Sequence, residues 1–190
     1  YEESEKHFQT ALQLDPANFE ACYHYARLLW QLGKLEQTLA VFKRANEIRP
    51  EDYRVPALAT SVCIALKKSE ELKEFYRKTV KAVQDRIALN PDDSRAYYLG
   101  AAALAGMGNR EKAVEWAERA LAFAPDDPGH LYNVATTYAV LGENDQALSN
   151  LEKAIQNGWA SRSWIENDGD WTNLRNDPRF QALLQKIPAD

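Results

Sequence analysis

Hydrophobic residues along the chain recur at intervals of three and four, which is the period of an amphipathic helix. The stretch from Ser94 to Asp127 shows this pattern with one interruption, at Gly108 and Asn109. Its apolar and small positions are Tyr97, Gly100, Ala101 and Leu104 before the interruption and Ala113, Ala117, Ala120 and Leu121 after it. The pattern predicts two helices joined by a tight turn at the glycine, which together form an antiparallel hairpin.

The prolines that follow the hairpins recur along the chain with a fixed period. Pro16 and Pro50 stand 34 residues apart, and Pro91 and Pro125 stand 34 residues apart. A repeat of this length in which each unit is a pair of helices is typical of stacked hairpins, because one hairpin cannot bury its apolar face alone. The sequence therefore predicts an all-α solenoid.

One unit, residues 53–93, is longer than the others, since 41 residues separate its two bounding prolines. The seven additional residues correspond to about two helical turns, so a longer helix keeps its apolar face in phase. We expect one protruding second helix over roughly 69–89 rather than a loop. Pro56 is compatible with the first turn of a helix. Lys67 stands where the turn glycine of the other units is expected.

Two units carry residues at the positions that a known helical repeat family uses. These residues are Gly33, Phe42, Ala45 and Pro50 in one unit and Leu131, Ala135, Tyr138, Gly142, Ala147 and Ala154 in the other. With these residues the chain resembles the tetratricopeptide repeat (TPR) family over roughly residues 1–158. The resemblance implies a right-handed α-solenoid of stacked antiparallel hairpins, a TPR-like superhelix, that serves as a scaffold for protein–protein interaction.

The repeat divides the chain into units of unequal completeness. They are a half repeat at 1–18, full units at 19–52, 53–93, 94–127 and 128–158, and a tryptophan-rich segment at 159–190. We expect the last segment to be a helical cap over the final hairpin, with a partner-binding aromatic patch as the alternative. The half repeat and the first residue, Tyr1, lead us to expect a fragment of a longer chain.

Composition excludes several classes of protein. With 45% hydrophobic residues and 27% charged residues, the chain can bury a core. No apolar run reaches the length that crosses a membrane. The 23 basic and 28 acidic residues give a net charge of −5, which argues against a nucleic-acid partner. Cys22 and Cys63 are too few for a disulfide framework and are expected to be buried thiols of a cytoplasmic protein.

A search for catalytic and metal-binding patterns finds none. His7, His24 and His130 are far apart and lack a second ligand at metal-binding spacing. The acidic stretch 166–170 lacks the spacing of a calcium loop, because Trp164 stands where an aspartate is needed. There is also no phosphate-binding glycine loop and no nucleophile elbow. We therefore expect no metal, no cofactor and no enzymatic activity.

The resemblance implies that side chains at set positions of each first helix face the concave groove. These positions hold Tyr23, Arg27, Trp30, Arg54, Arg95, Tyr98, Tyr132 and Asn133. Tyrosine and arginine are enriched at binding hot spots, and a guanidinium can hold a carboxylate with two hydrogen bonds. The hypothesis is an acidic or C-terminal peptide ligand. The alternative is a generic surface, with consensus tyrosines and with arginines paired to acids such as Glu20.

The sequence disfavours one further function and leaves a second one as an alternative. Chaperone-binding members of the family hold a terminal aspartate with a set of lysine, asparagine and arginine, and of this set only Arg95 has a counterpart here, which disfavours that role. The second function, from another class, is self-association, in which the exposed half repeat at 1–14 stacks on another copy to form a homo-oligomer.

Overall fold

The computed structural model describes residues 2–188, with side chains from residue 3 onward. Within this range the chain is helical and contains no β-strand. The helices are α1 Glu2–Leu14, α2 Phe19–Gln31, α3 Leu35–Ile48, α4 Arg54–Ala65, α5 Ser69–Leu89, α6 Ser94–Gly106, α7 Arg110–Phe123, α8 Pro128–Leu141, α9 Asn144–Gln156, α10 Arg162–Asn167 and α11 Pro178–Leu184, with a 3₁₀ turn at Gly169–Trp171.

Side-chain caps explain where several of the helices begin. The side chain of Asn18 accepts a hydrogen bond from the backbone at the start of α2, Asp93 does the same for α6, and Asp127 for α8. Each cap satisfies a backbone N–H that has no acceptor inside the helix. Pro128 occupies the first turn of α8, where its missing N–H costs nothing.

Consecutive helices pair as hairpins, and the hairpins stack into an α-solenoid, as the sequence predicts. The pairs are α2 with α3, α4 with α5, α6 with α7, and α8 with α9, while α1 packs on α2. Three hairpins turn at a glycine with positive φ, at Gly33, Gly108 and Gly142. The remaining hairpin turns at Lys67, whose φ of 57° is in the left-handed region. The same backbone turn is thus used with and without glycine.

Helix α5 has 21 residues and is the longest of the described helices. Its buried side chains extend from Phe75 to Val83, so the added turns continue one apolar face against α4 and α6. Leu89, the last residue of α5, is 81% exposed. The seven additional residues of this unit therefore lengthen a helix and do not form a loop.

The tryptophan-rich C-terminal region consists of two structural parts. Helix α11 packs against α9, where Arg179 pairs with Asp145 and Lys186 pairs with Glu152, each at 2.7 Å. This part covers the last hairpin. Residues 159–171, which we call the groove segment, contact the first helices α2 and α4 of earlier hairpins as well as α8 of the last hairpin. The sequence predicts that the whole region covers the last hairpin; in the structure α11 lies on α9, and the groove segment extends from α8 to α4 and α2.

No helix within residues 2–188 is long and apolar enough to span a lipid bilayer.

Candidate functional site

A cavity of about 280 Å³ lies between the first helices of the hairpins and the groove segment. Its walls come from α2, α4, α6 and α8 on one side and from Trp159, Ser161, Trp164, Asp168 and Asp170 of the groove segment on the other. Residues more than 100 positions apart in sequence thus line one space. The site depends on how the groove segment is held.

Two aromatic stacks hold the groove segment on the inner helices. Trp164 stacks on Trp30 of α2, with ring centroids 4.5 Å apart and planes at 9°. Trp159 stacks on Tyr132 of α8, with centroids 4.1 Å apart and planes at 2°. Aromatic pairs of this kind add about 0.5–1.5 kcal/mol beyond the area that they bury. The stacks fix the groove segment at two separated hairpins.

A buried hydrogen-bond network adds polar anchors. Asp168 is 3% exposed and accepts hydrogen bonds from the hydroxyls of Ser61 and Tyr132, the latter at 2.6 Å. Ser61 Oγ also accepts from the backbone N–H of Gly169 at 2.9 Å, and Trp171 Nε1 donates to the Tyr132 hydroxyl at 3.1 Å. Burial and the Asp168 carboxylate raise the pKa of Tyr132 well above its usual value. The tyrosine is therefore a neutral donor.

Gly169 brings the backbone of the groove segment into contact with α4. A Cβ at this position would lie 2.2 Å from the carbonyl oxygen of Ser61 and 2.7 Å from the backbone nitrogen of Ala65. Both neighbours are backbone atoms that cannot swing away. The close approach of the segment to α4 therefore requires glycine at position 169.

Asp168 and Asp170 form an acidic pair in the wall of the cavity. Burial raises the pKa of Asp168, and the hydrogen bonds from Ser61 and Tyr132 oppose that rise. The pKa of Asp170 is raised further, by burial and by the charge of Asp168. Neither carboxylate has an ion pair within 4 Å among the residues described.

Three arginines surround Tyr23, and two of them, Arg27 and Arg95, line the cavity. The guanidinium carbons of Arg27, Arg54 and Arg95 lie 5.6, 4.7 and 6.0 Å from the ring centroid of Tyr23. Arg95 Nη2 donates to the Tyr23 hydroxyl at 2.5 Å, while its Nε is buried and has no hydrogen-bond partner. The pKa of the neighbouring His24 is lowered by burial and then by Arg27, as expected beside clustered positive charge.

The three arginines differ in how their charge is compensated. Arg54 pairs with Asp52 at 2.7 Å and with Glu20 at 3.1 Å. Arg27 and Arg95 form no ion pair with any carboxylate in the part of the chain that the structure describes. Arg27 lies instead over the rings of Tyr23 and Trp164, and Arg95 donates to the Tyr23 hydroxyl.

A series of hydrogen bonds through His130 connects α6 and α8, two of the helices that line the cavity. His130 Nε2 lies 2.8 Å from Ser94 Oγ at the start of α6, and its Nδ1 lies 2.8 Å from Asp127 Oδ1. Asp127 also caps α8, since it accepts from the backbone N–H of His130. Tyr98 packs edge-on against the His130 ring, with centroids 5.0 Å apart. These hydrogen bonds connect the first turn of α6, which carries Arg95, to the first turn of α8.

The structure brings together seven of the eight residues that the sequence predicts for the groove. They are Tyr23, Arg27, Trp30, Arg95, Tyr98, Tyr132 and Asn133, and all line the cavity. Arg54 does not line it and is ion-paired. Trp30 and Tyr132 line it but are each stacked on a tryptophan of the groove segment.

Sequence reasoning missed the cavity residues of the groove segment. Trp159, Trp164, Asp168 and Asp170 belong to a region that the repeat pattern does not cover. The available signal was its tryptophan content, together with acids beside a glycine. No group of three or more histidine, cysteine or acidic side chains within residues 2–188 is arranged to hold a metal ion.

Solved protein structures share this fold. TTC0263, a thermophilic TPR protein of Thermus thermophilus, matches with a TM-score of 0.58 and 23% identity over 86% of this chain and 86% of its own. PilW, a widely conserved type IV pilus biogenesis factor, matches with a TM-score of 0.54 and 18% identity over 93% of this chain and 87% of its own. MamA from Desulfovibrio magneticus, from residue 41 to its end, gives a TM-score of 0.50 at 20% identity, over 82% and 84%.

No curated protein matches the sequence. Two family models, both described as tetratricopeptide repeat, match residues 1–62 and residues 94–127, which together make up just over half of the chain. The period of the helices, the stacked hairpins and these matches agree. The chain belongs to the tetratricopeptide repeat family.

Proposed function

We propose that the protein is a protein-interaction scaffold that binds a carboxylate-bearing segment of its partner in the cavity, against Arg27 and Arg95. The observation that carries the proposal is the pair of guanidinium groups that face the cavity without an acidic partner. The role needs no catalytic step.

The energetic argument starts from the cost of burying charge. Arg95 lies largely inside the protein, and its Nε has lost water without gaining an acceptor. A ligand carboxylate would supply that acceptor, and charge-assisted hydrogen bonds are about twice as strong as neutral ones. Tyr98 and Asn133 on the same wall add a hydroxyl and an amide. The free protein therefore holds unused hydrogen-bonding capacity for an anion.

Charge removal at the two arginines tests the proposal. The double variant Arg27→Gln/Arg95→Gln should weaken binding of a fluorescein-labelled peptide with a free C-terminal carboxylate by about 1–2 kcal/mol per arginine, as for interface hot spots. Arg77→Gln/Arg119→Gln, which removes two exposed arginines from α5 and α7, is the charge-matched control. Equal losses in the two double variants would reduce the effect to net charge and contradict the proposal.

Self-association through α1 is a second candidate function. Among the described residues helix α1 packs chiefly on α2, and its apolar residues Phe8 and Leu12 are only half-buried. Stacking of this face on another copy would bury them. Light scattering on Phe8→Glu and on the unchanged protein tests this candidate, because a dimer that stacks through α1 should become a monomer in the variant.

A further inference from the structure

Two basic and two acidic side chains line the same cavity without pairing with each other. Arg27 and Arg95 form no ion pair with Asp168 or Asp170, so every nitrogen of these arginines lies more than 4.0 Å from every carboxylate oxygen of the acidic pair. Asp168 accepts hydrogen bonds only from two hydroxyls and one backbone N–H. The carboxyl group of Asp170 has neither a hydrogen bond nor an ion pair within residues 2–188. The cavity thus presents opposite charges that do not compensate each other.

Three N–H groups of residues that line this cavity also lack an acceptor. They are Trp30 Nε1, Trp159 Nε1 and Arg95 Nε, and all three atoms are shielded from solvent. Trp30 as a whole is only 1% exposed. Buried donors in folded proteins are nearly always paired. Three unpaired donors around one cavity, two of them on uncharged indoles, therefore point to a ligand that carries hydrogen-bond acceptors, independently of the arginine charges.

The size and the remaining walls of the cavity suit a small molecule. Its volume is about 280 Å³. A cavity of about 150 Å³ holds one benzene molecule, so this space has room for about ten to twelve non-hydrogen atoms. The other walls are mostly apolar or aromatic and include Leu58, Leu99, Tyr98 and Trp164. Apolar walls with a few polar groups are typical of small-molecule sites, in which the polar groups fix the orientation of the ligand.

Asp170 indicates which second polar group the ligand carries. Burial and the charge of Asp168 raise the pKa of Asp170, as expected for a carboxyl group that has no cation beside it. An ammonium group at this position would favour the ionised carboxylate again. A ligand with a carboxylate alone would leave the acidic pair without a partner, and a ligand with an ammonium group alone would leave the two arginines without one. A molecule that carries both groups satisfies both sets of side chains.

We propose that the cavity binds a free small zwitterion of about the size of one amino acid, with its carboxylate against Arg27 and Arg95, its ammonium group against Asp170 and Asp168, and an apolar body between them. The carboxylate contact rests on the proposed function above. The ammonium contact rests on the acidic pair, and the small size of the ligand rests on the volume of the cavity. The site adds small-molecule recognition to the interaction scaffold.

Two sets of matched ligands test the proposal on the full chain by isothermal titration calorimetry. In the first set ε-aminocaproate is the zwitterion, caproate lacks its ammonium group, and pentylamine lacks its carboxylate. In the second set L-leucine, isocaproate and isopentylamine have the same relationship with a shorter distance between the charges. At least one zwitterion should bind with a Kd of about 1 mM or below, and at least tenfold more tightly than either of its halves. Failure of both zwitterions to bind, or equal binding of a zwitterion and one of its halves, would overturn the proposal.

A variant of the acidic pair tests the ammonium contact separately. Asp170→Asn should weaken binding of the zwitterion and of the matching amine at least tenfold and leave binding of the matching carboxylate unchanged. Asp126→Asn removes the same charge from an exposed position that does not line the cavity, and it should change none of the three affinities. Circular dichroism checks that both variants are folded, and the ligand comparison on the unchanged protein does not depend on them. Equal effects of the two variants would contradict the ammonium contact.

The arginine variant distinguishes this proposal from the proposed function. Arg27→Gln/Arg95→Gln should weaken the zwitterion and the matching carboxylate but not the amine. If the peptide with a free carboxylate binds through the arginines and neither zwitterion binds, the small-molecule site is wrong and the proposed function stands. If a zwitterion binds with the expected dependence on Asp170 and the arginines but the peptide does not bind, the proposed function fails and the small-molecule site stands.

Discussion

The Tyr132 hydroxyl donates to Asp168 Oδ2 at 2.6 Å, which joins α8 to the groove segment. The two residues are 36 positions apart, and both are buried. Because Asp168 also accepts from Ser61 of α4, one carboxylate connects two inner helices to the C-terminal region. Asp168 is therefore one of the anchors that set the shape of the cavity, beside the two aromatic stacks.

Replacing that acid should be costly to stability. Asp168→Ala leaves the Ser61 and Tyr132 hydroxyls buried without an acceptor, and each unsatisfied group costs about 1–3 kcal/mol. The pKa of Asp168 is itself raised by burial, which offsets part of this loss, so we expect the free energy of unfolding to fall by about 2–4 kcal/mol at pH 7. Urea unfolding followed by tryptophan fluorescence measures the change.

The control for that experiment is Asp126→Ala, at an exposed position in the loop before α8. It should change the free energy of unfolding by less than about 0.5 kcal/mol. A loss for Asp168→Ala no larger than that of the control would mean that the network contributes no net stability.

The acidic pair predicts an unusual pH dependence. The pKa of Asp170 is raised, by burial first and by Asp168 second, so the folded state holds its proton more tightly than the unfolded state does. The contribution of Asp170 to the free energy of unfolding is therefore fully present below the ordinary aspartate pKa, and it is lost as the pH rises. Asp170→Asn, which cannot ionise, should raise the free energy of unfolding by about 1 kcal/mol at pH 7 and leave it unchanged near pH 4.

A second aspartate gives a control of opposite sign. The side-chain hydrogen bond from Arg179 lowers the pKa of Asp177, so the stability from this group is present above its unfolded pKa and is lost as the pH falls. Asp177→Asn should therefore lower the free energy of unfolding at pH 7. Parallel pH profiles for Asp170→Asn and the unchanged protein would refute the assignment for Asp170.

The cysteines should be unreactive while the protein is folded. Cys22 and Cys63 are both 0% exposed. Burial raises the pKa of both thiols, and burial together with the charge of Glu71 raises that of Cys63 to about 11. The thiolate is the reactive form, and at pH 8 it is scarce. We expect Ellman's reagent at pH 8 to modify neither thiol until denaturant is added, and then to modify both. Rapid reaction without denaturant would contradict the burial.

Periodicity in the sequence determines the solenoid but not the closure of its groove. The spacing of the prolines and of the helical apolar positions is local information, and it correctly predicts the hairpins. The stacking of Trp164 on Trp30 links residues 134 positions apart, which no repeat spacing encodes. Position within the repeat therefore predicts that Tyr23 and Arg95 lie on the inner surface, where both line the cavity. What covers that surface is set by tertiary packing outside the repeat.

Lys67 shows where a departure from the repeat pattern has a measurable cost. It is exposed and turns the α4–α5 hairpin with a φ of 57°, whereas Gly33, Gly108 and Gly142 take φ values of 69°, 80° and 76° at the other hairpins. A residue with a side chain in the left-handed region costs the folded state roughly 1–2 kcal/mol, which glycine avoids. Glycine also increases the conformational freedom of the unfolded chain, and this offsets part of the gain. Lys67→Gly should therefore stabilise the protein by about 0.5–1 kcal/mol in urea unfolding. Lys73→Gly, in the helical backbone of α5, should instead destabilise it by about 1 kcal/mol. A loss of stability in Lys67→Gly would show that the lysine side chain contributes more than its backbone strain costs.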